Sequence, residues 1–230
     1  MEYLRELAQL PPLFRGIDRR EAELLLGRLS PRLEEFPRGS VLLRRGEPAG
    51  AMGLVLTGRV HIQRVDFWGN RSILAQAGPG QLFGESYACL PARPLEVEAA
   101  AAEPCRVLFL PARGLFSPIP DPGAEALRQR LLGNLLEVLA QRNLLLTRKM
   151  EHLTQPTTRQ KVLSYLSAQS LLAGEAEFTI PFDRQQLADY LSLDRSALSA
   201  QLGRLRREGV LEFRKNRFHL LDRDPTGKEG

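Results

Sequence analysis

The chain has 230 residues, of which 43% are hydrophobic and 26% are charged, a balance typical of globular proteins with one or two domains. No apolar run reaches the roughly 18 residues that a membrane span requires, and the first residues lack the apolar centre of a signal peptide. We therefore expect a cytoplasmic protein with no membrane partner. The net charge of +5 is compatible with a polyanionic partner but does not establish one.

Short β-prone runs separated by glycines occupy the region from Phe36 to Leu110. A predicted helix, Arg19–Leu29, precedes them, and Asp18 is suited to cap it. The Gly69-Asn70 pair favours a hairpin tip because both residues tolerate positive φ. Runs with this spacing are typical of an antiparallel barrel or roll. The predicted strands are Val41–Leu43, Gly53–Leu56, Val60–Val65, Val97–Ala102 and Cys105–Leu110.

One long helix is predicted from about Gly123 to Leu153. Apolar residues recur within it at alternating steps of four and three, the heptad spacing of a coiled-coil seam. Asn143 lies in that seam, where a polar residue lowers stability but fixes the register. The residues of the predicted homodimer seam are Leu132, Leu136, Leu139, Asn143, Leu146, Met150 and Leu153.

An alternative for this helix is packing on its own domain, because further apolar residues widen one side of the stripe. These residues are Leu131, Leu135, Val138 and Leu145. A helix that does both, with one side on the roll and the other in a dimer seam, is compatible with the same pattern.

The C-terminal region begins where Pro156 ends or kinks the long helix. The sequence "EFTIPF" predicts a short strand within it. The predicted helices, each followed by its capping residue, are Arg159–Ser170 (Thr158), Arg184–Leu191 (Asp183) and Arg195–Glu208 (Asp194).

The last two helices are too short to be stable alone, because the cost of helix nucleation is not recovered. Crossed at a steep angle, they would bury one apolar wedge, formed by Leu187, Leu191, Leu198, Leu202 and Leu205. The outer face of the second helix is small and basic, which suits the major groove. A hairpin with the basic tip Arg214–Arg217 follows it. We therefore predict a winged helix-turn-helix that binds double-stranded DNA through Arg184, Arg195, Ser196, Ser199, Arg204, Lys215 and Arg217.

The predicted fold is α+β and has three parts. Residues 1–121 form an antiparallel β-roll of the cyclic-nucleotide-binding type, residues 122–154 form a dimerisation helix, and residues 155–230 form the winged helix-turn-helix.

Two stretches carry a resemblance to a known family: "GQLFGE" at Gly80–Glu85 and "FDRQQLADYLSLDRSALSAQLGRL" in the C-terminal part. The chain resembles the cyclic AMP receptor protein and fumarate–nitrate regulator (Crp/Fnr) family of bacterial transcription factors. The resemblance implies a homodimer with an effector site in each roll, facing the dimer helix. It also implies that each recognition helix binds half of a palindromic operator, and that RNA polymerase is a partner.

The sequence departs from the family pattern on the recognition helix. The positions where name-giving members use a Glu and an Arg to contact bases carry Ser196 and Ala200 here, while Ser199 keeps the hydroxyl between them. Arg195 is then the best candidate for a bidentate contact to guanine. The preferred half-site is expected to differ from those of the name-giving members.

A second departure concerns the effector site, predicted at Gly84, Glu85, Ser86, Tyr87, Glu96 and Asn143. Gly84 and Glu85 keep the pair that binds ribose in nucleotide-binding members. The pair that binds phosphate falls on Leu95 and Glu96, which cannot neutralise it. Arg93 lies nearby, but flanking prolines stiffen its loop. Cyclic AMP is therefore not the expected effector.

Other cofactors are also disfavoured. An iron–sulfur cluster needs four thiolates, whereas the chain has Cys89 and Cys105 alone. Haem would depend on His61, the one histidine of the roll. No metal site and no catalytic residue are predicted, so an enzymatic or ligand-carrying roll with incidental DNA affinity is the less favoured alternative. A different small molecule, a redox signal through either cysteine, or no effector at all remain open.

Overall fold

The computed structural model describes residues 12–65, 71–90 and 93–221. The chain divides into two compact units, one ending at Leu139 and the other starting at Ala140. Each unit has its own hydrophobic core. The division falls inside the long helix, and the domain limits proposed from the sequence stay predictions. Among the described residues, no helix is both long and apolar enough to cross a membrane.

Eight strands of the described part of the first unit form two antiparallel sheets, which confirms the predicted roll. The strands are β1 Arg32–Phe36, β2 Val41–Leu43, β3 Ala51–Thr57, β4 Val60–Val65, β5 Arg71–Ala77, β6 Leu82–Phe83, β7 Glu98–Ala101 and β8 Cys105–Pro111. One sheet has the order β1-β8-β3-β6 and the other has the order β2-β7-β4-β5. A 3-10 turn at Pro12–Phe14 precedes them.

The helices of this unit are α1 Arg19–Leu29, α2 Glu85–Ala88, α3 Ala112–Phe116 and the start of α4, Pro122–Leu153. Asp18 caps α1 as predicted: its carboxylate accepts from the Glu21 amide at 2.9 Å, and the Glu21 carboxylate accepts from the Asp18 amide at 2.8 Å. This reciprocal pair is a capping box, which satisfies two amides that a helix start leaves free.

The start of α4 is fixed by a buried arginine. The Arg128 guanidinium bonds to both oxygens of Glu125 and donates to the Leu115 carbonyl at 2.8 Å. The hydrogen bonds from Arg128 and, secondarily, from the Ile119 amide lower the pKa of Glu125 to about 2. Further along α4, Leu131 and Leu135 are buried in one core with Leu25 and Leu26 of α1. One side of α4 therefore packs on the roll.

The interior of the roll explains a glycine in the middle of a strand. The Phe83 ring packs edge-on against Phe109, with centroids 6.1 Å apart. A Cβ atom on Gly53 would lie 2.2 Å from an atom of the Phe83 ring. Because real Cβ contacts are never that short, the close approach of β6 to β3 requires glycine at this position.

The second unit contains the end of α4, then α5 Thr158–Ala173, β9 Glu177–Thr179, α6 Arg184–Tyr190, α7 Arg195–Arg207, β10 Leu211–Arg214 and β11 Arg217–Leu220. The three strands form an antiparallel sheet in the order β10-β11-β9. This order places the strand predicted from "EFTIPF" beside the second strand of the predicted hairpin.

Several local predictions are corrected by the structure. Thr157, not Thr158, caps α5, because Thr157 has the extended backbone of a cap and its hydroxyl accepts from the Gln160 amide. Helix α5 also continues three residues beyond Ser170. Strands β1 and β6 were not predicted, since β1 is charged and β6 has only two residues. The predicted Gly69-Asn70 hairpin tip lies outside the described residues.

Candidate nucleic-acid interface and effector site

Helices α6 and α7 hold each other through a shared core, as the sequence predicts. The side chains of this core are fully buried: Leu187, Leu191, Leu198, Leu202 and Leu205. Asp183 caps α6 and forms a capping box with Gln186. Between the helices Ser192 takes a left-handed φ of 51°. This tight turn and the common core fix the direction in which α7 presents its outer face.

The outer face of α7 is small and basic. Its exposed residues are Arg195, Ser196, Ser199, Ala200, Arg204 and Arg207, so four of the predicted DNA-binding residues lie together on this helix. Asp194 occupies the capping position with an extended backbone, but its side chain makes no capping hydrogen bond. Asp194 is thus the N-cap residue as predicted, although it acts through its backbone: the Asp194 carbonyl accepts from the Leu198 amide at 2.9 Å.

The β10–β11 hairpin, called the wing here, ends in a two-residue turn of Lys215 and Asn216. Lys215 is exposed and has a left-handed φ of 56°, a conformation that favours glycine or asparagine. Asn216 is bonded twice to Ile180: its carbonyl accepts from the Ile180 amide at 2.9 Å, and its side-chain amide donates to the Ile180 carbonyl at 3.0 Å. The turn is thus held from one side by the strand segment before α6.

Arg217 also lies on the wing, where its guanidinium is 2.7 Å from the Glu177 carboxylate. Both side chains are at least half exposed, so solvent screens this ion pair. A phosphate could replace the carboxylate at little cost. Arg217 therefore remains available to bind a DNA phosphate, in keeping with its predicted role in DNA binding.

Arg184 differs from the other predicted DNA-binding residues because it is half-buried and engaged within its own unit. Its guanidinium lies over the rings of Phe213 and Phe218, at 5.0 Å and 5.9 Å from their centroids. It also donates to the Lys215 carbonyl at 3.3 Å. Burial, with a smaller contribution from Arg195, lowers the pKa of Arg184.

An aromatic cluster ties the end of α4 to α5 and α6. His152 is buried, and its Nδ1 lies 2.8 Å from the Ser164 hydroxyl. The His152 ring packs edge-on against Tyr165 at 5.7 Å and lies 6.4 Å from Tyr190. Lys149 lies over the Tyr190 ring at 5.2 Å. Burial lowers the pKa of His152 and raises that of Tyr165. All of these groups belong to the second unit.

In the roll, the predicted ribose-binding pair begins helix α2. Gly84 has a left-handed φ of 72°, and a Cβ atom there would lie 2.7 Å from Leu43. Glu85 is buried, Ser86 is exposed and Tyr87 is half-buried. The left-handed φ thus favours glycine at Gly84, and a Cβ atom there would displace the end of the Leu43 side chain. Asn143 belongs to the second unit, so its part in this site stays a prediction.

Glu96, at one of the two phosphate positions, is paired with an arginine. Glu96 is exposed, and its carboxylate bonds to the Arg93 guanidinium at 2.6 Å. The hydrogen bond from Arg93 lowers the pKa of Glu96. Arg93 therefore compensates the charge of Glu96 at this phosphate position. Leu95, at the other phosphate position, is buried at 4% exposure.

The two cysteines are poor nucleophiles. Burial is the main cause that raises the pKa of both Cys89 and Cys105 above its ordinary value, so each is a neutral thiol near pH 7. His61 lies half-buried on β4. In the part of the chain that the structure describes, His, Cys, Asp and Glu side chains form no group of three that could hold a metal.

The predicted seam is largely uncovered in a single chain. Leu136, Leu146 and Met150 are 69%, 62% and 63% exposed. The other members are Asn143, also exposed, and the half-buried Leu132, Leu139 and Leu153. Leu145, which widens the apolar stripe, is 63% exposed.

Two family models match the chain. The model of the cyclic nucleotide-binding domain matches residues 33–117, and the model of the Crp-like helix-turn-helix domain matches residues 129–225. A cyclic AMP receptor protein of Thermus thermophilus is 38% identical over 74 residues, which are 32% of this chain and 33% of that protein. A CRP-like cAMP-activated global transcriptional regulator of Mycobacterium tuberculosis is 29% identical over 130 residues, 56% and 54% of the two chains.

The chain thus aligns with between a third and about half of the length of these relatives. Among solved structures, it is similar to the c-di-GMP responsive global regulator CLP of Xanthomonas campestris. The two are 21% identical with a TM-score of 0.54, over 89% of this chain and 100% of that one. At this identity the similarity shows the fold alone.

The fold and the site define a protein in which a β-roll is followed by a long helix and a winged helix-turn-helix. With a cyclic nucleotide-binding domain followed by a Crp-like helix-turn-helix, the chain belongs to the Crp/Fnr family of bacterial transcription factors. The family resemblance predicted from the sequence is confirmed.

The buried His152 predicts a pH dependence of stability. Because burial lowers its pKa below the unfolded value of about 6.5, the unfolded state binds more protons below that pH. The free energy of unfolding should therefore fall as pH drops from 7.5 to 5.5. His152→Gln should weaken this dependence, and His219→Gln, at an exposed histidine of the wing, should not. Urea unfolding of the full chain at several pH values measures this, and parallel pH curves for wild type and His152→Gln would contradict it.

Proposed function

We propose that the chain is a homodimeric, sequence-specific DNA-binding transcription regulator of the cytoplasm, gated by an effector other than cyclic AMP. The observation that carries the proposal is the pairing of α6 with α7 through five fully buried leucines. This core presents a small, basic helix face next to a basic wing. A helix of this kind fits the major groove, about 12 Å wide, and the wing reaches the adjacent phosphates.

Base recognition in this proposal rests on Arg195. It is exposed at the first position of α7, and the N-terminal residues of a recognition helix contact base edges. Ser196 and Ser199 follow on the same face and can donate to or accept from a base or a phosphate. Arg204, Lys215 and Arg217 supply phosphate contacts, which position the protein without selecting sequence.

Substitutions at Arg195 and Lys215 separate these two roles. Arg195→Ala should cost about 1–3 kcal/mol on the preferred duplex and relax selection at one base pair of each half-site. Lys215→Ala should weaken binding to all duplexes alike and reduce the salt slope by about one. Fluorescence anisotropy on preferred and random duplexes at several salt concentrations measures both. An equal loss on both duplexes for Arg195→Ala would make Arg195 a phosphate contact instead.

Dimerisation is proposed to run along the exposed seam of α4. Large apolar side chains at heptad spacing stay uncovered in one chain, and a second copy of the same helix would cover them. The dimer would place two recognition helices on the two halves of an inverted repeat. The bound dimer is proposed to act on RNA polymerase.

Leu146→Asp tests the seam without disturbing the roll, because Leu146 is 62% exposed in a single chain. A charge in the seam should give monomers and weaken operator binding by roughly 100-fold, because the two half-sites then bind without the gain from linkage. The matched control is Leu171→Asp, at an 83% exposed leucine of α5, which should stay dimeric. Sedimentation equilibrium decides the question, and a dimeric Leu146→Asp protein would show that the seam is elsewhere.

The proposed effector site lies at Gly84–Tyr87 and Glu96 of the roll. Cyclic AMP is disfavoured there because Leu95 occupies an arginine position and Arg93 is already bonded to Glu96. The buried Glu85 suits a neutral or cationic ligand.

Calorimetric titration of the full chain should therefore show no binding of cyclic AMP or cyclic GMP in the micromolar range, and neither should change DNA affinity. Micromolar binding would overturn this part of the proposal. It would also indicate that Arg93 leaves Glu96 to bind the phosphate, which Arg93→Ala would then abolish.

A further inference from the structure

Arg184 has an arrangement that phosphate binding does not explain. It is the first residue of α6, at the edge of the proposed interface, yet its guanidinium is turned toward the wing. Its contacts are the faces of Phe213 and Phe218 and the carbonyl of Lys215. These partners all belong to the wing hairpin. A side chain placed to bind DNA phosphate would instead be extended and solvated.

The wing turn needs such a support. Lys215 is held at a φ of 56°, which costs a side-chain-bearing residue energy that its surroundings must supply. On one side the turn is bonded to Ile180 through Asn216. On the other side Arg184 binds the Lys215 carbonyl. The turn is thus fixed by two neighbours, and the Lys215 side chain is left exposed.

The Phe213 ring links the wing to both helices of the helix-turn-helix. Arg184 of α6 lies 5.0 Å and Arg206 of α7 lies 5.5 Å from its centroid. Phe213 in turn stacks on Phe218 at 5.8 Å. Flat guanidinium groups suit such contacts, whereas a lysine ammonium is a compact, strongly hydrated charge.

We propose that Arg184 is a positioning residue that sets the wing turn, so that its effect on DNA binding passes through Lys215. The inference rests on the proposed function of the helix-turn-helix, and it goes beyond that proposal because it gives Arg184 a role other than phosphate contact. The wing then moves as one piece with α6 and α7 rather than as an independent hairpin.

A double-mutant cycle on the full-length protein tests this role. Wild type, Arg184→Ala, Lys215→Ala and the double variant are compared on one preferred duplex across a salt series. If Arg184 acts through Lys215, the double variant should match Lys215→Ala in affinity and in salt slope. Arg204→Ala is the control. Because Arg204 and Lys215 are proposed to contact different phosphates, their fold-losses of DNA affinity should multiply in the double variant. Independent, multiplying losses for Arg184→Ala would overturn the proposal and make Arg184 a phosphate contact.

Two further variants separate charge from geometry. Arg184→Lys keeps the charge, so a phosphate contact would keep the wild-type salt slope, whereas the positioning role predicts the slope of Arg184→Ala. Phe213→Leu removes the ring but keeps Arg184. Combined with Lys215→Ala, it should match Lys215→Ala alone in affinity and in salt slope, as Arg184→Ala does. A wild-type slope for either variant would contradict the positioning role.

Hydrogen exchange in the free protein gives a measurement that does not involve DNA. The Ile180 amide, bonded to the Asn216 carbonyl, should exchange faster in Arg184→Ala and Arg184→Lys than in wild type, while the Leu198 amide of α7 should not change. Unchanged exchange at Ile180 would overturn the inference. Failure of the unaltered protein to bind any duplex would instead refute the proposed function, and it would be seen without any variant.

Discussion

The burial of one set of leucines between α6 and α7 is the interaction on which the rest of the C-terminal unit depends. Neither helix is long enough to persist alone, and each supplies the apolar surface that the other must cover. Because Leu187, Leu191, Leu198, Leu202 and Leu205 are all fully buried, the rotation of α7 about its own axis is fixed. The face opposite the leucines is therefore always the small, basic one.

Contacts on two sides connect this pair of helices to other elements of the C-terminal unit. Toward the wing, Arg184 and Arg206 lie over Phe213, so the orientation of the turn follows that of the helices. Toward α4, the His152 cluster with Tyr165 and Tyr190 connects the end of the long helix to α5 and α6. These rings fix the end of the long helix against α5 and α6 within the C-terminal unit.

The spacing of apolar residues and glycines was enough to predict most of the helices, the roll and the helix-turn-helix, because that spacing reflects which residues are buried. The leucine spacing predicted the α6–α7 core and the glycine-punctuated runs predicted the roll. The features that the sequence did not predict depend on contacts between residues that are far apart along the chain. Strand β6 has only two residues, and it is defined by its pairing with β3, where the Phe83 ring lies against Gly53. The role of Arg184 was missed for the same reason, since a sequence shows an arginine at a helix start but not the two rings that it stacks on.

Selection of bound sequences from a random pool of duplexes by the full-length protein tests the central claim most directly, since it requires both the exposed face of α7 and the seam of α4. A homodimer with one recognition helix per chain should enrich an inverted repeat whose half-sites are centred about 10 base pairs apart, one turn of the double helix. Enrichment of a single, unrepeated site, or of no sequence at all, would contradict the claim that this chain reads DNA as a symmetric dimer.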